Sequence, residues 1–469
     1  MEFDAPSFAD APVALAKTVT ATVALAPGQV IFAESAIVAS AGGVEPDDGF
    51  HEEGCEDEEC GGCAEIDDED AKDTLDEDEV DKVSAYVVEN FDALMETCEP
   101  VEALVAVDAR KNLFKLFHLI EQPDHAGLLN QLLAVEIVQN NVASHLEAAK
   151  VLREAHSGVI PAALSDDQVA QLIGAIHKDS IPLDDLDGSG LFLYVPKLKH
   201  SCTPNATYTD AGASVWVTAI QPIAAGEDIT VDFFDTHFMP AAERAIVLAE
   251  EGYECSCGVC NGTAPDLTRS FKCKACPTGI VNPTKNVFAC ASCGAKFDDE
   301  TIAAVEMEET TLLNDLEIES LEQMNALIEG SHLHRYHHIF YSAMEALLED
   351  DADDEDDDEN EEEATTGLTD EQSLAVLNDE LAAFNYVVPF PHSEKVALYD
   401  SIAQAHLGLG QIEKATEAYT QAHAMSQTVF GPDAKNTQLF HRLMTNTPTT
   451  PEEIAAAYGF ELDDGEDDE

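Results

Sequence analysis

The cysteines between positions 255 and 293 are the residues of this chain best suited to chemistry. Cys255-Ser256-Cys257-Gly258-Val259-Cys260 places three thiols in one short segment. Next come Cys273-x2-Cys276, thirteen intervening residues, and Cys290-x2-Cys293. Two Cys-x-x-Cys turns each present a pair of sulfurs to one tetrahedral ion, so this second set predicts a zinc ribbon on spacing alone. Four protein ligands leave no open position on the metal, which argues for a structural role and against zinc-dependent hydrolysis. Two further stretches combine polar groups at close spacing. One is the loop Lys199-His200-Ser201-Cys202-Thr203-Pro204-Asn205, and the other is Asp228-Ile229-Thr230-Val231-Asp232-Phe233-Phe234-Asp235, which reads as a buried strand.

The chain that must position these groups has 469 residues, enough for two or three domains, and its 45% hydrophobic content is that of a folded protein. Its charge is lopsided, with 94 acidic against 22 basic residues and a formal net charge of −72. Such a surface repels nucleic-acid phosphate and attracts a Lys- or Arg-rich protein or peptide over long range. Adaptation to high salt, or solubility alone, would give the same balance. The opening Met1-Glu2-Phe3-Asp4 lacks the basic start of a secretory signal, and no apolar run is long enough to span a bilayer. The expectation is therefore an intracellular protein, cytoplasmic or nuclear, without membrane contact. In a reducing compartment, cysteines serve as metal ligands more often than as disulfides.

In chain order, residues 18–38 are rich in β-branched types, with Pro27-Gly28 as a turn between two short strands. From about 42 to 82 the chain is acidic and Gly-rich, with too few apolar residues to fold alone. Within it, His51, Cys55, Cys60 and Cys63 have the count for one further zinc, or belong to a loop that happens to contain cysteines. Residues 84–178 read as helices: Leu113, Leu116, Phe117 and Ile120 recur at helical spacing, as do Leu128, Leu132 and Val135. His118 and His145 there are read as packing or surface residues. Val169 to Ile176 reads as a helix and Leu191 to Pro196 as a strand. Residues 302–348 form amphipathic helices, and the His-rich run Gly330 to His338 has no metal partners fixed by spacing. Acids from Glu349 to Glu363 make a disordered connector. Beyond it Tyr399, Ile402, Gly410, Ala415, Tyr419 and Ala422 are spaced as in a tetratricopeptide-like helical hairpin, which needs neighbouring helices to cover its face.

Taken together, His200-Ser201-Cys202-x-Pro204-Asn205, the Ile229 to Asp235 strand and the Cys255/Cys257/Cys260 cluster resemble a SET domain with its post-SET zinc site. The chain is closest to the SET-and-MYND (SMYD) type. The resemblance implies an α+β fold: a SET-domain β fold with a helical insertion, a post-SET zinc site and zinc ribbon, and an α-helical TPR-like C-terminal domain. The implied division is SET N-terminal strands (1–40), an acidic disordered insertion in place of the MYND finger (41–83), a helical insertion (84–180) and SET core (181–240). A post-SET segment (241–262), zinc ribbon (268–297), helices (298–348), acidic linker (349–367), TPR-like domain (368–460) and acidic tail (461–469) follow. MYND fingers use about twice the ligands found here, so that finger is expected to be absent.

By resemblance, Cys202 joins Cys255, Cys257 and Cys260 on one zinc, beside the ribbon zinc on Cys273, Cys276, Cys290 and Cys293. S-adenosylmethionine would meet Lys17, Lys199, His200 and Tyr253, and Phe233 holds the position of the family's active-site tyrosine. The implied activity is methyl transfer to lysine in a basic, histone-like protein. The chain departs from the family at Ala16 and Thr18, where glycines are usual, at Lys199 in place of Asn, and at Phe233 and Glu251 in place of tyrosines. These departures fit an alternative, a catalytically silent SET and TPR-like scaffold for basic peptides.

Overall fold

The computed structural model describes residues 6–15, 17–41, 106–125, 127–137, 141–315, 320–349 and 368–459, together with 93, 97, 104 and 318. His51, Cys55, Cys60, Cys63, Ala16, most of the acidic run after Glu349 and the acidic tail lie outside them.

Pro27-Gly28 turns the chain as expected, with Gly28 at φ +79°, a conformation glycine reaches without strain. Before the turn, β1 (Val13–Leu15) pairs antiparallel with β2 (Val19–Ala21); after it comes β3 (Val30–Ser35). β3 pairs with β9 (Ser214–Ala219), which pairs with β8 (Ala206–Ala211). Ile31 and Phe32 of β3 and Val215, Val217 and Ala219 of β9 share one core with Val19, Ile229 and Val231. A second sheet has the order β4 (Val38–Ala41), β6 (Gly188–Leu191), β5 (Ser180–Leu183).

Of the helices α1 (Val107–Leu119), α2 (Leu128–Leu132), α3 (Val142–His156) and α4 (Asp166–Asp179), α1 and α4 pack on that second sheet, and α2 and α3 pack on α4. Leu113, Leu116, Phe117, Leu128 and Leu132 are buried together with Val38 and Leu191, while Ile120 and Val135 are only half-buried. Ser165 and Gln168 close a reciprocal capping box at the start of α4.

Two expected strands are shorter than the sequence suggests, and side chains explain why. The segment after Leu191 leaves the sheet because the buried Glu34 carboxylate accepts the backbone N–H groups of Leu193, Tyr194 and Val195 at 2.6–3.0 Å. Of Asp228 to Asp235, only β10 (Thr230–Val231) is a strand, parallel to β7 (Lys199–His200). Beyond it the Asp232 carboxylate accepts the Phe234 N–H at 3.0 Å, and Asp235 turns the chain at φ +46°.

After α5 (Ala241–Glu250) the chain forms a three-stranded sheet of β11 (Phe271–Lys272), β12 (Ile280–Thr284) and β13 (Val287–Cys290). The remainder is helical: α6 (Asp299–Asp315), α7 (Leu321–Gly330), α8 (His338–Glu349), α9 (Asp370–Val387), α10 (Ser393–Gly408), α11 (Ile412–Val429), α12 (Lys435–Thr445) and α13 (Pro451–Tyr458). Ala415, Tyr419 and Ala422 are fully buried. The helices join the sheets through Trp216, whose indole N–H donates to the Phe430 carbonyl at 2.8 Å, and through Phe238, stacked on Tyr341 at 3.7 Å. Among the described residues no helix is long and apolar enough to cross a membrane.

Candidate functional site

β7 and β10 lie side by side, so the loop after His200 and the segment after Val231 leave the sheet at one place. There the Cys202 sulfur sits 3.7 Å from those of Cys255 and Cys260, and all four sulfurs of Cys202, Cys255, Cys257 and Cys260 lie within 4.8 Å of one another. The second set is equally compact, with Cys273–Cys293 at 3.7 Å and Cys276–Cys290 at 3.8 Å. A disulfide would need about 2.05 Å. A tetrahedron of thiolates at about 2.3 Å from zinc has edges of about 3.8 Å, so both cages fit that ion. The Thr236 hydroxyl and the backbone N–H groups of Cys257, Cys260 and Ala275 point at sulfurs, as suits thiolates.

The ribbon cage leaves no room at Gly279. A Cβ there would stand 2.4 Å from the Cys276 sulfur and 2.5 Å from that of Cys290. Gly279→Ala is expected to halve the zinc content measured by elemental analysis, from about two ions per chain to about one. Full zinc content in the variant would show that the turn tolerates a side chain.

On the other side of β7 the structure joins two of the sequence's departures from family pattern. Asp228 accepts the Thr18 hydroxyl at 3.0 Å with one carboxylate oxygen and faces the Lys199 ammonium at 3.4 Å with the other. The Lys199 and Asp228 side chains are 41% and 37% exposed, so the lysine cation is turned to solvent and partly offset. Nothing in the sequence singled out Asp228. A cleft of about 400 Å³ here is lined by Lys199, His200, Ser201, Asn205, Asp228 and Cys257, among others. Lys17 is exposed and lies outside this lining, as does Tyr253.

His200 is buried between the sulfur cage and the aromatic residues. Its Nδ1 accepts the Phe233 backbone N–H at 3.4 Å, which puts the proton on Nε2, 3.5 Å from the Cys202 sulfur. Burial pushes the nearby Asp232 carboxyl above its usual range. Around Phe233 stand Tyr208 at 5.8 Å, Tyr253 at 6.1 Å and Phe234 at 6.4 Å between ring centroids. Phe233 and Tyr253 were expected near one another; Tyr208, contributed by β8, was not expected. Its alternating strand position was the one available signal.

Two other clusters of potential ligands lie among the described residues. The carboxylate that spacing could not supply to the His-rich run is Glu309, whose oxygen lies 3.1 Å from His337 Nε2. Arg269 grips both oxygens of Glu309, at 2.7 and 2.5 Å, and so fills the place of a cation. Although burial alone would raise it, the bonds from His337, His338 and Arg269 hold the Glu309 carboxyl far below its usual range. Asp235, His237 and His392 also converge. His392 Nδ1 accepts the Glu394 N–H at 3.1 Å, so its Nε2 carries the proton and has no lone pair for a metal. Burial pushes His237 down to about 3 and His392 to about 4, so both rings are neutral.

The SET-domain family pattern matches residues 17–234. Histone-lysine N-methyltransferase set5 of Schizosaccharomyces pombe is 30% identical over 20% of this chain and 30% of its own length. Protein-lysine N-trimethyltransferase SMYD5 of Gallus gallus is 33% identical over 21% of this chain and 26% of its own. N-lysine methyltransferase SMYD2-B of Danio rerio is 22% identical over 56% of each chain. The matched stretches thus span less than two thirds of these relatives.

Proposed function

We propose, from the premise that the chain is a SET-domain protein of the SMYD type, that it methylates lysine side chains of a basic protein using S-adenosylmethionine. The observation that carries this reading is the convergence of His200, Phe233 and Tyr253 beside a sulfur cage that fits zinc. Lys17, Lys199, His200 and Tyr253 would hold the donor, which supplies a methyl group on a cationic sulfonium. Two structural zinc ions, on Cys202/Cys255/Cys257/Cys260 and Cys273/Cys276/Cys290/Cys293, would hold the post-SET segment and the ribbon. The chain's own work is then alignment and desolvation of a neutral amine, and both depend on geometry more than on covalent help. We read 368–460 as a TPR-like domain, and the −72 net charge as a field that draws in a Lys-rich substrate such as a histone.

A second reading, a silent scaffold for basic peptides, is favoured by Phe233 and Glu251, which lack the family's hydroxyls. Calorimetric titration with S-adenosylmethionine, followed by a transfer assay on core histones, separates the two. Donor binding with transfer supports the enzyme; tight histone binding without donor binding supports the scaffold.

Lys199→Asn is expected to tighten donor binding several-fold at low salt, with the gain fading as ionic strength rises. The exposed pairing with Asp228 limits the effect, since such pairs are worth about 0–1 kcal/mol. Weaker donor binding in this variant would mean that the ammonium contacts the donor's carboxylate.

A further inference from the structure

Where the segment after β10 meets the C-terminal helices, three buried polar atoms have no hydrogen-bond partner among the described residues. They are His237 Nδ1, the Tyr341 hydroxyl of α8 and one oxygen of the Glu380 carboxylate of α9. Phe238 stacks on Tyr341 at 3.7 Å, and His237 packs on Phe384 at 5.1 Å, one turn of α9 beyond Glu380. Tyr341 and Glu380 are each 3% exposed. A buried carboxyl oxygen without a partner is costly unless something completes it. Glu309 shows how this molecule completes one. Arg269 grips both of its oxygens, and the guanidinium lies over Phe271 and Phe288 at 5.8 and 5.6 Å. Glu380 also has rings beside it, but the neighbouring cations are engaged elsewhere. Lys395 donates to the Val388 carbonyl, Arg244 donates to those of Met239 and His237, and Arg335 pairs with Asp379.

We propose that Glu380 is the floor of a subsite for an arginine side chain of the basic protein that this chain takes. The subsite rests on the basic-partner reading above and serves the enzyme and the scaffold alike. The guanidinium gives two parallel N–H bonds to the carboxylate and lies flat on the Tyr341 ring, for which the half-buried Phe238 leaves its stack. The groups that face Glu380 are Tyr341 and Glu345 of α8 and Glu394 of α10. Burial first, then the charges of Glu345 and Glu394, pushes Glu380 up to about 8, so a proton holds the empty group neutral at pH 7. That proton passes to solvent as the cation arrives. Asp235 raises Glu394 in turn, so carboxylates lead from the exposed Asp235, two positions after Phe233, to Glu380. Phe238 follows Phe233 by five residues, so their Cα atoms are at most about 18 Å apart, a span that an extended peptide covers in about five residues. The favoured partner therefore carries an arginine within about five residues of the lysine beside Phe233.

The test is calorimetry on the full chain with peptides that carry one lysine and one arginine among neutral residues, against the same peptides with citrulline for arginine. Citrulline keeps the shape and loses the charge. With the arginine about three to five residues from the lysine, the arginine peptide is expected to bind about tenfold tighter at pH 8. In the unmodified chain that advantage should fade toward pH 6, as Glu380 keeps its proton. Glu380→Gln matches the protonated acid in shape and charge, so the variant should keep the citrulline peptide's affinity while the ratio falls to about one. An arginine peptide that gains nothing, or gains equally at pH 6, in Glu380→Gln or at every spacing, answers only to the general field of an acidic chain. Each of those results overturns the subsite and leaves the basic-partner reading standing. Peptides of both kinds that fail to bind, with and without S-adenosylmethionine, overturn that reading and the subsite with it.

Discussion

Glu34→Ala is expected to cost about 3 kcal/mol of stability or more, the largest loss from any single side chain outside the cysteine cages. The carboxylate lies on β3 and accepts the N–H groups of Leu193, Tyr194 and Val195, which lie about 160 residues further along the chain. Removing it leaves three backbone donors without a protein acceptor, each worth about 1–3 kcal/mol when buried, and water entering the space left behind recovers part of this. The same segment runs on through the 3-10 turn Val195–Lys197 into Lys199-His200, so the loss reaches the site as well as the sheet. Burial pushes Glu34 above the usual carboxylate range, and the three backbone donors pull it back. Glu34→Gln keeps one acceptor oxygen but turns the other into a donor facing N–H groups, and should fall between the two. Denaturant midpoints check the order; a Glu34→Ala cost under about 1 kcal/mol would mean that the N–H groups find water at once.

Cys202→Ser should be the most damaging change at the site. It removes one of four proposed thiolate ligands, and bound zinc contributes on the order of 10 kcal/mol in small sites built this way. The staple it breaks is local: Cys202 follows β7, and its partners follow α5. The expected result is the loss of one of two zinc ions and early proteolytic cleavage around 250–262, with the helices from α9 onward still resistant. Their core of Val376, Phe384, Ala415 and Tyr419 contains none of that cage's sulfurs, and it meets the segment beside the cage where Phe384 packs on His237 and Phe238. The change should also disturb His200, whose Nε2 lies 3.5 Å from the lost sulfur and whose Nδ1 holds the Phe233 backbone. Equal cleavage in both regions would show that the cage and the helices unfold as one unit.

The cysteine sets, the Pro27-Gly28 turn, the helices around Leu113 and Leu172 and the helical C-terminal part were legible in the sequence, because each signal is local. Two sulfurs on one turn, a glycine at positive φ and an apolar residue every 3.6 positions are fixed by backbone geometry, whatever the rest of the chain does. The family's motif carried Cys202 to its distant partners. What the tertiary structure alone decided are the pairings for which no spacing exists. Asp228 meets Thr18 across 210 positions, Glu34 meets Val195 across 161, and Glu309 meets His337 across 28. Tyr208 joins the box around Phe233 only because β8, held by β9, runs beside the segment that β10 begins. In a chain with 94 acidic residues, composition cannot say which carboxylate finds which partner. That choice belongs to packing, which selects a few partners from many chemically equal ones by burying them together.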